Sequence, residues 1–220
     1  MLKYPKKSHR KKIRIPEESK NLAEALGIVM GDGGINNDWQ LVISMNARAD
    51  KEYAEYVKKL FENLFKIEVA VRTRPERNVL LLICSSVTLI EFLISKGSVR
   101  GDKIKQQINI PGWIKNNREY QKAFVRGLMD TDGCLYIHKH RINSKLYQNI
   151  GFCFTSYSKK LLNSVAEILK NCKIMPHIAQ NNTRIYLYKQ NEVFKYLKIL
   201  GTSNYRISNK YDTWRGRIAV

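Results

Sequence analysis

Apolar residues recur along this chain in two rhythms, and the rhythms come in the same order twice. Helix-like runs open each series: Ala25-Leu26-Gly27-Ile28-Val29-Met30-Gly31 within 20–31, and Val125-Arg126-Gly127-Leu128-Met129 within 117–131. Apolar residues three and four apart predict amphipathic helices over 50–65 and 158–171. Alternating apolar and polar positions predict strands over 39–45, 67–74 and 79–84, and again over 135–141, 149–155, 174–180 and 184–188. Turn residues punctuate them: Asn36-Asn37-Asp38, Pro75-Glu76-Arg77-Asn78 and Asn181-Asn182. Closing helices over 87–95 and 192–200 run into Gly97 and Gly201, which suit helix C-terminal stops. Ser19 is a candidate N-cap for the first helix, and a proline (Pro16, Pro111) precedes each opening helix.

The chain thus reads as an α+β protein of two pseudo-symmetric αββαββα halves, 15–110 and 111–220, preceded by a basic arm, 1–14. The join, near 109–113, is short and not rich in Gly or Ser, so the halves are expected to pack rigidly. Alternation assigns faces. Glu68, Ala70, Arg72 and Arg74 lie opposite Val69, Val71 and Thr73. Tyr136, His138 and His140 lie opposite Leu135 and Ile137, and Arg184, Tyr186 and Tyr188 lie opposite Ile185 and Leu187. A sheet apolar behind and rich in Arg, Tyr and His in front can pack its own helices on one side and nucleic acid on the other, with Arg77 in a turn beside it. An ordinary solvated sheet face is the plainer alternative.

Charge sharpens this reading. Lys and Arg number 39 against 19 Asp and Glu, a formal net charge of +20. Residues 1–110 carry 20 basic and 13 acidic side chains, and 111–220 carry 19 and 6. Such an excess favours a polyanion, since every phosphate neutralised releases a counterion. Lys3, Lys6, Lys7, Arg10, Lys11, Lys12 and Arg14 make the arm a candidate phosphate contact or a merely solvated tail. Cys84, Cys134, Cys153 and Cys172 form no C-x-x-C pair, and reduced thiols in an intracellular protein (cytoplasm or nucleoid, or an organelle) are expected. Cys134, His138 and His140 share a strand face, but no second ligand cluster completes a zinc site. No apolar run is long enough to span a membrane.

The opening helices carry the chemistry. Each ends in Asp-Gly, and Asp32 and Asp132 stand 100 residues apart. Gly27 and Gly31 are four apart, as are Gly127 and Thr131. Four residues turn about 400°, so each small pair stacks on one stripe where a second backbone can approach. Two such helices packed in parallel bring Asp32 and Asp132 out at the same end. Adjacent carboxylates repel unless a cation lies between them, and magnesium prefers carboxylate and phosphate oxygens.

The two segments resemble the motifs of the LAGLIDADG homing endonucleases. Met30 stands where the motif usually has its first acid, and Asp130 keeps that acid in the second copy. The last acid is present in both, as Asp32 and Asp132. The αββαββα order matches that family's topology from about residue 15 onward. The resemblance implies motif helices at the interface of the halves and antiparallel sheets forming a saddle over DNA. It implies Asp32 and Asp132 binding divalent metal: Mg2+, with Mn2+ substituting and Ca2+ bound without turnover. It implies a monomer that cuts both strands of a long asymmetric site and leaves 3′ overhangs, as in intron homing. Basic and polar residues near the metals are also implied. By position these are Lys103 or Lys105 after Gly97, Lys210 after Gly201, and Asn46 and Ser156 after strands. Plain phosphate contact is the competing role for the lysines, and helix capping for Asn46 and Ser156. A non-cleaving DNA-binding regulator, or a maturase acting on intron RNA, is the alternative on the same scaffold.

Overall fold

The computed structural model describes residues 11–218. The first half runs α1 (Lys20–Gly31), β1 (Gly33–Ile35), β2 (Gln40–Asn46), α2 (Lys51–Phe65), β3 (Ala70–Arg74), β4 (Val79–Ser85) and α3 (Val87–Ser95). A one-turn helix, α4 (Gly112–Lys115), leads into α5 (Arg118–Asp132), β5 (Gly133–Ile142), β6 (Lys145–Thr155), α6 (Lys159–Asn171), β7 (His177–Ile178), β8 (Arg184–Leu187) and α7 (Gln190–Ile199). The repeated order is the one the sequence predicts, with two additions that have no counterpart in the first half: α4 and a last helix, α8 (Tyr205–Ile218). Each half builds a four-stranded antiparallel sheet, ordered β1-β2-β4-β3 and β5-β6-β8-β7. Among the described residues, no helix is long and apolar enough to cross a membrane.

Local chemistry sets the boundaries. Ser19 Oγ accepts from the Leu22 N–H and starts α1. Asn117 does the same for α5 through the N–H groups of Glu119 and Tyr120. Gly97 and Gly201 have φ of 108° and 76°, which only glycine adopts cheaply, and the helices stop there. The strand expected over 174–180 shrinks to His177–Ile178, because Pro176 has no N–H to give the ladder. The residues at 67–69 stay outside the ladder: β3 begins at Ala70 as an edge strand. Val71 was expected on the packed face but is exposed. It sits on that edge, beyond the cover of the helices.

Elsewhere the alternation holds. Leu41, Ile43 and Met45 of β2, Leu80 and Leu82 of β4, Phe152 and Phe154 of β6, and Ile185 and Leu187 of β8 point inward. They join the buried faces of the helices in one apolar core that spans both halves.

At the centre of that core α1 lies against α5. A Cβ added to Gly27 would fall 2.2 Å from the Phe124 carbonyl oxygen, and one added to Gly127 would fall 2.4 Å from the Glu24 carbonyl oxygen. The contacts are reciprocal, because Glu24 and Phe124 occupy matching positions 100 residues apart. One turn on, a Cβ at Gly31 would overlap Thr131 Oγ1 at 2.0 Å. All four small residues therefore lie in the helix contact. Of the basic arm, Lys3, Lys6, Lys7 and Arg10 lie outside the described residues. Lys11 and Arg14 run along the first half: the Lys11 carbonyl accepts from Ser86 Oγ at 3.4 Å, and the Arg14 N–H donates to the Phe65 carbonyl at 2.8 Å.

Backbone oxygens cannot rotate away as a side chain can. Gly27→Ala and Gly127→Ala are therefore each expected to cost about 2–3 kcal/mol by forcing the helices apart. Gly112→Ala, where an added Cβ meets nothing, is expected to be near neutral. Urea unfolding of the three variants checks this.

Candidate active site

The two motif helices end together. Thr131 Oγ1 turns back to the Leu128 carbonyl at 2.8 Å, and Asp132 Oδ2 would lie 3.3 Å from a Cβ on Gly31, the residue before Asp32. The two aspartates thus meet at the end of the interface. Gly33 and Gly133 start the first strand of each sheet directly after them, with room for no side chain: a Cβ would fall 2.6 Å and 2.1 Å from the carbonyl oxygens of Val29 and Met129.

The pair is electrostatically loaded. Burial, with a contribution from Asp50, pushes Asp32 up to about 6 against the pull of Lys103 and Arg206. Burial and the Asp32 charge push Asp132 up to about 7 against Lys103. Among the described residues, no group of three or more His, Cys, Asp or Glu side chains is placed to hold a metal ion by itself. Two under-compensated carboxylates fit a divalent cation that takes its remaining ligands from water and phosphate oxygens, as magnesium does.

Lys103 is the cation at this end. Its ammonium donates to the carbonyls of Met30 at 3.0 Å and Gly33 at 2.7 Å, and also to that of Gly31. It thereby satisfies the open carbonyls at the C-terminus of α1, where a positive charge is favoured. Burial pulls Lys103 below the usual lysine range, while Asp132 and Asp32 oppose that pull. Lys105 is instead exposed, its backbone N–H bonded to Asp102 Oδ1 at 3.0 Å.

Lys210 also lies exposed, on α8. The second half brings Arg206 toward the site in its place. Its Nε donates to Asp50 Oδ1 at 2.9 Å, and both groups act on Asp32. Sequence matching missed Arg206 because one residue is absent from its loop. Lys103-Ile104 aligns with Arg206-Ile207 only across that gap.

Asn46 and Ser156 serve the turns before α2 and α6. Asn46 Oδ1 accepts from the N–H groups of Arg48 and Ala49, and Ser156 Oγ accepts from the Ser158 N–H at 3.3 Å.

The two outward sheet faces differ in character. In the first sheet, Arg72 and Arg74 stand opposite Leu81 and Val79, and Arg77 follows in a single 3-10 turn. In the second, Tyr136, His138, His140, Arg184, Tyr186 and Tyr188 share the outward face. Stacked rings run along it: His138 on His140 at 5.5 Å, His140 on Tyr147 at 5.6 Å, and Tyr186 on Tyr188 at 4.9 Å. The Tyr136 ring lies across Gly151, beside a cleft of about 400 Å³ that Tyr188 and Asn149 also line.

A buried polar cluster beneath the aspartates also escaped the sequence reading. Glu24 is fully buried and accepts from Tyr56 Oη and Ser203 Oγ, both at 2.8 Å, and from Arg126 on the facing helix. Asp130, likewise buried, accepts from Thr202 Oγ1 and from the Ser203 N–H at 2.7 Å. Burial pushes Asp130 up to about 7 even against these bonds. Met30, at the matching position, is buried among apolar groups of the core.

Residues 119–211 match the family model for a LAGLIDADG-like domain. Solved structures with the same architecture include mesophilic variants of the homing endonuclease I-DmoI, at 16% identity over 82% of this chain and 90% of that one, with a TM-score of 0.56. They include the I-LtrWI LAGLIDADG homing endonuclease bound to target DNA, at 15% identity over 88% of each chain, TM-score 0.59. Full-length DUF199/WhiA from Thermatoga maritima has a TM-score of 0.56 at 14% identity, over 92% of this chain and 63% of its own. I-DmoI has been crystallised with DNA and manganese and with DNA and calcium. No curated protein matches the sequence. The chain therefore has the single-chain, two-half fold of the LAGLIDADG homing endonucleases.

The raised aspartates predict a pH signature. Their folded pKa values exceed the ordinary 3.8, so between 3.8 and about 7 the folded state holds protons that the unfolded chain releases. Their contribution to stability falls as pH rises through that window. Solvent still reaches Asp132, which moderates the effect. In metal-free buffer, Asp132→Asn is expected to melt a few degrees above the wild type at about pH 8, with the difference gone at about pH 4. Thermal unfolding across pH checks this.

Proposed function

We propose that this protein is a site-specific double-strand DNA endonuclease of the homing type, acting as a monomer on a long asymmetric site and leaving 3′ overhangs. The observation that carries the reading is the meeting of Asp32 and Asp132 at one end of two touching helices. The high positive charge and the Arg- and Tyr-bearing sheet faces support a DNA partner.

In this reading Asp32 and Asp132 are the residues that would hold Mg2+, which would supply water activation and leaving-oxygen stabilisation for phosphodiester hydrolysis. Lys103 holds positive charge beside both carboxylates, and on the carbonyls of α1 it is fixed before substrate arrives. Arg72, Arg74 and Arg77 on one half, and the histidines, tyrosines and Arg184 on the other, contact the duplex. Their difference in chemistry matches an asymmetric target rather than a palindrome.

Asp32→Asn and Asp132→Asn are each expected to abolish cutting, with folding and duplex affinity retained. Incubation with a plasmid target library and magnesium, followed by sequencing of linear product, tests this. Cleavage that survives both changes refutes the roles of the aspartates. Tight binding by the wild type without product, in magnesium and in manganese, favours the non-cleaving regulator or the RNA maturase instead.

Lys103 and Arg206 are not equivalent, since only Arg206 is tied to a carboxylate, Asp50. Lys103→Met is therefore expected to slow cleavage by about 100-fold or more, and Arg206→Met by a smaller factor. Single-turnover rates on a supercoiled target, which separate nicked from linear product, measure both.

A further inference from the structure

Cys134 and Cys153 face each other across the second sheet. They are direct partners in the antiparallel β5–β6 pair, so their side chains leave the same face of the sheet. Opposed residues in such a pair have Cα atoms about 4.5–5.5 Å apart. A disulfide joins Cα atoms about 4.4–6.8 Å apart, so the bridge lies within reach of the existing backbone.

The face is the outward one. Neighbours on either side, Leu135 and Phe152, point into the core, while Cys134 is exposed and Cys153 half-buried, so a small oxidant reaches both. The contacts of both sulfurs are weak. Cys134 Sγ touches the Leu135 carbonyl at 3.6 Å; Cys153 Sγ touches Thr155 Oγ1 at 4.0 Å and interacts with Tyr186, while burial raises its thiol. The other two cysteines differ. Burial pushes Cys84 up to about 12, which leaves it inert, and Cys172 ends α6, remote in sequence from this strand pair.

Position gives the pair its consequence. Cys134 is two residues beyond Asp132, separated only by Gly133, which is wedged against the Met129 carbonyl. Cys153 pairs on its other side with Tyr186, among the outward aromatic rings.

We propose that Cys134 and Cys153 form a reversible cross-strand disulfide that weakens nucleic-acid binding by the second sheet. With a peroxide as oxidant, one thiolate attacks the peroxide, the O–O bond breaks, and a sulfenic acid and water result. The second thiol displaces the sulfenic oxygen as a second water and the S–S bond forms. Two thiols and one peroxide thus give one disulfide and two waters. A reducing thiol reverses the step by exchange. In a thiol-rich compartment this bridge is transient, as redox-sensing disulfides are. Its effect on binding rests on the proposed role of this face, whereas its formation does not.

The test uses the full-length protein treated with hydrogen peroxide. Mass spectrometry of an unreduced digest is expected to find one crosslinked peptide joining Cys134 to Cys153, lighter by two hydrogens than its parts and absent after dithiothreitol. Free thiols at both positions after treatment, or Cys134 joined to another cysteine, would overturn the proposal. Affinity for a random-sequence duplex at low salt is then compared before and after peroxide within each protein. A drop of about tenfold is expected for the wild type and no change for Cys134→Ser or Cys153→Ser. A bridge with unaltered affinity overturns the switching role. Failure of the reduced wild type to bind any duplex overturns the nuclease reading and leaves bridge formation judged by the digest alone.

Discussion

The closeness of two helix backbones governs this molecule. Gly27 sits on the Phe124 carbonyl and Gly127 on the Glu24 carbonyl, and any side chain at either place would part the helices. Because the contact is reciprocal, it fixes rotation as well as distance, and rotation decides where the last residue of each helix emerges. The aspartates meet because the glycines touch several residues earlier. The juxtaposition of the two carboxylates is thus a consequence of core packing.

The halves are also laced together. After α3 the chain crosses to the second half, where Gln107 accepts from the Lys159 N–H and the Ile108 carbonyl accepts from Ser158 Oγ. After α7 it crosses back, where Asn204 and Arg206 donate to Asp50. Each crossing segment docks at the start of a helix of the other half, α6 in one case and α2 in the other. Each also delivers a base to the acidic end of the interface, Lys103 in one case and Arg206 in the other. A cation placed this way is held by two separate packing units, which suits a group that must not drift as substrate enters.

What could be read from sequence was what is local. Small residues four apart, Asp-Gly endings and alternating strands are signals within a dozen residues, and the repeat let each copy check the other. The choice among Lys103, Lys105 and Lys210 was not local. It depends on the path of a crossing loop, and a one-residue gap hid Arg206 from position matching. Helix α8 was missed because its inner stripe is narrow: among the described residues, Ile207, Tyr211 and Trp214 are what it turns toward the core. The Glu24–Arg126 pair left no trace in the repeat, because Leu26 and Phe124 stand at the matching positions.

That unmatched pair bears on how the two halves depend on each other. Two first halves brought together would bury a pair of Glu24 carboxylates with no guanidinium opposite. The mixed partnership sets Arg126 of one half against the buried Glu24 of the other, so the two halves are complements rather than interchangeable copies.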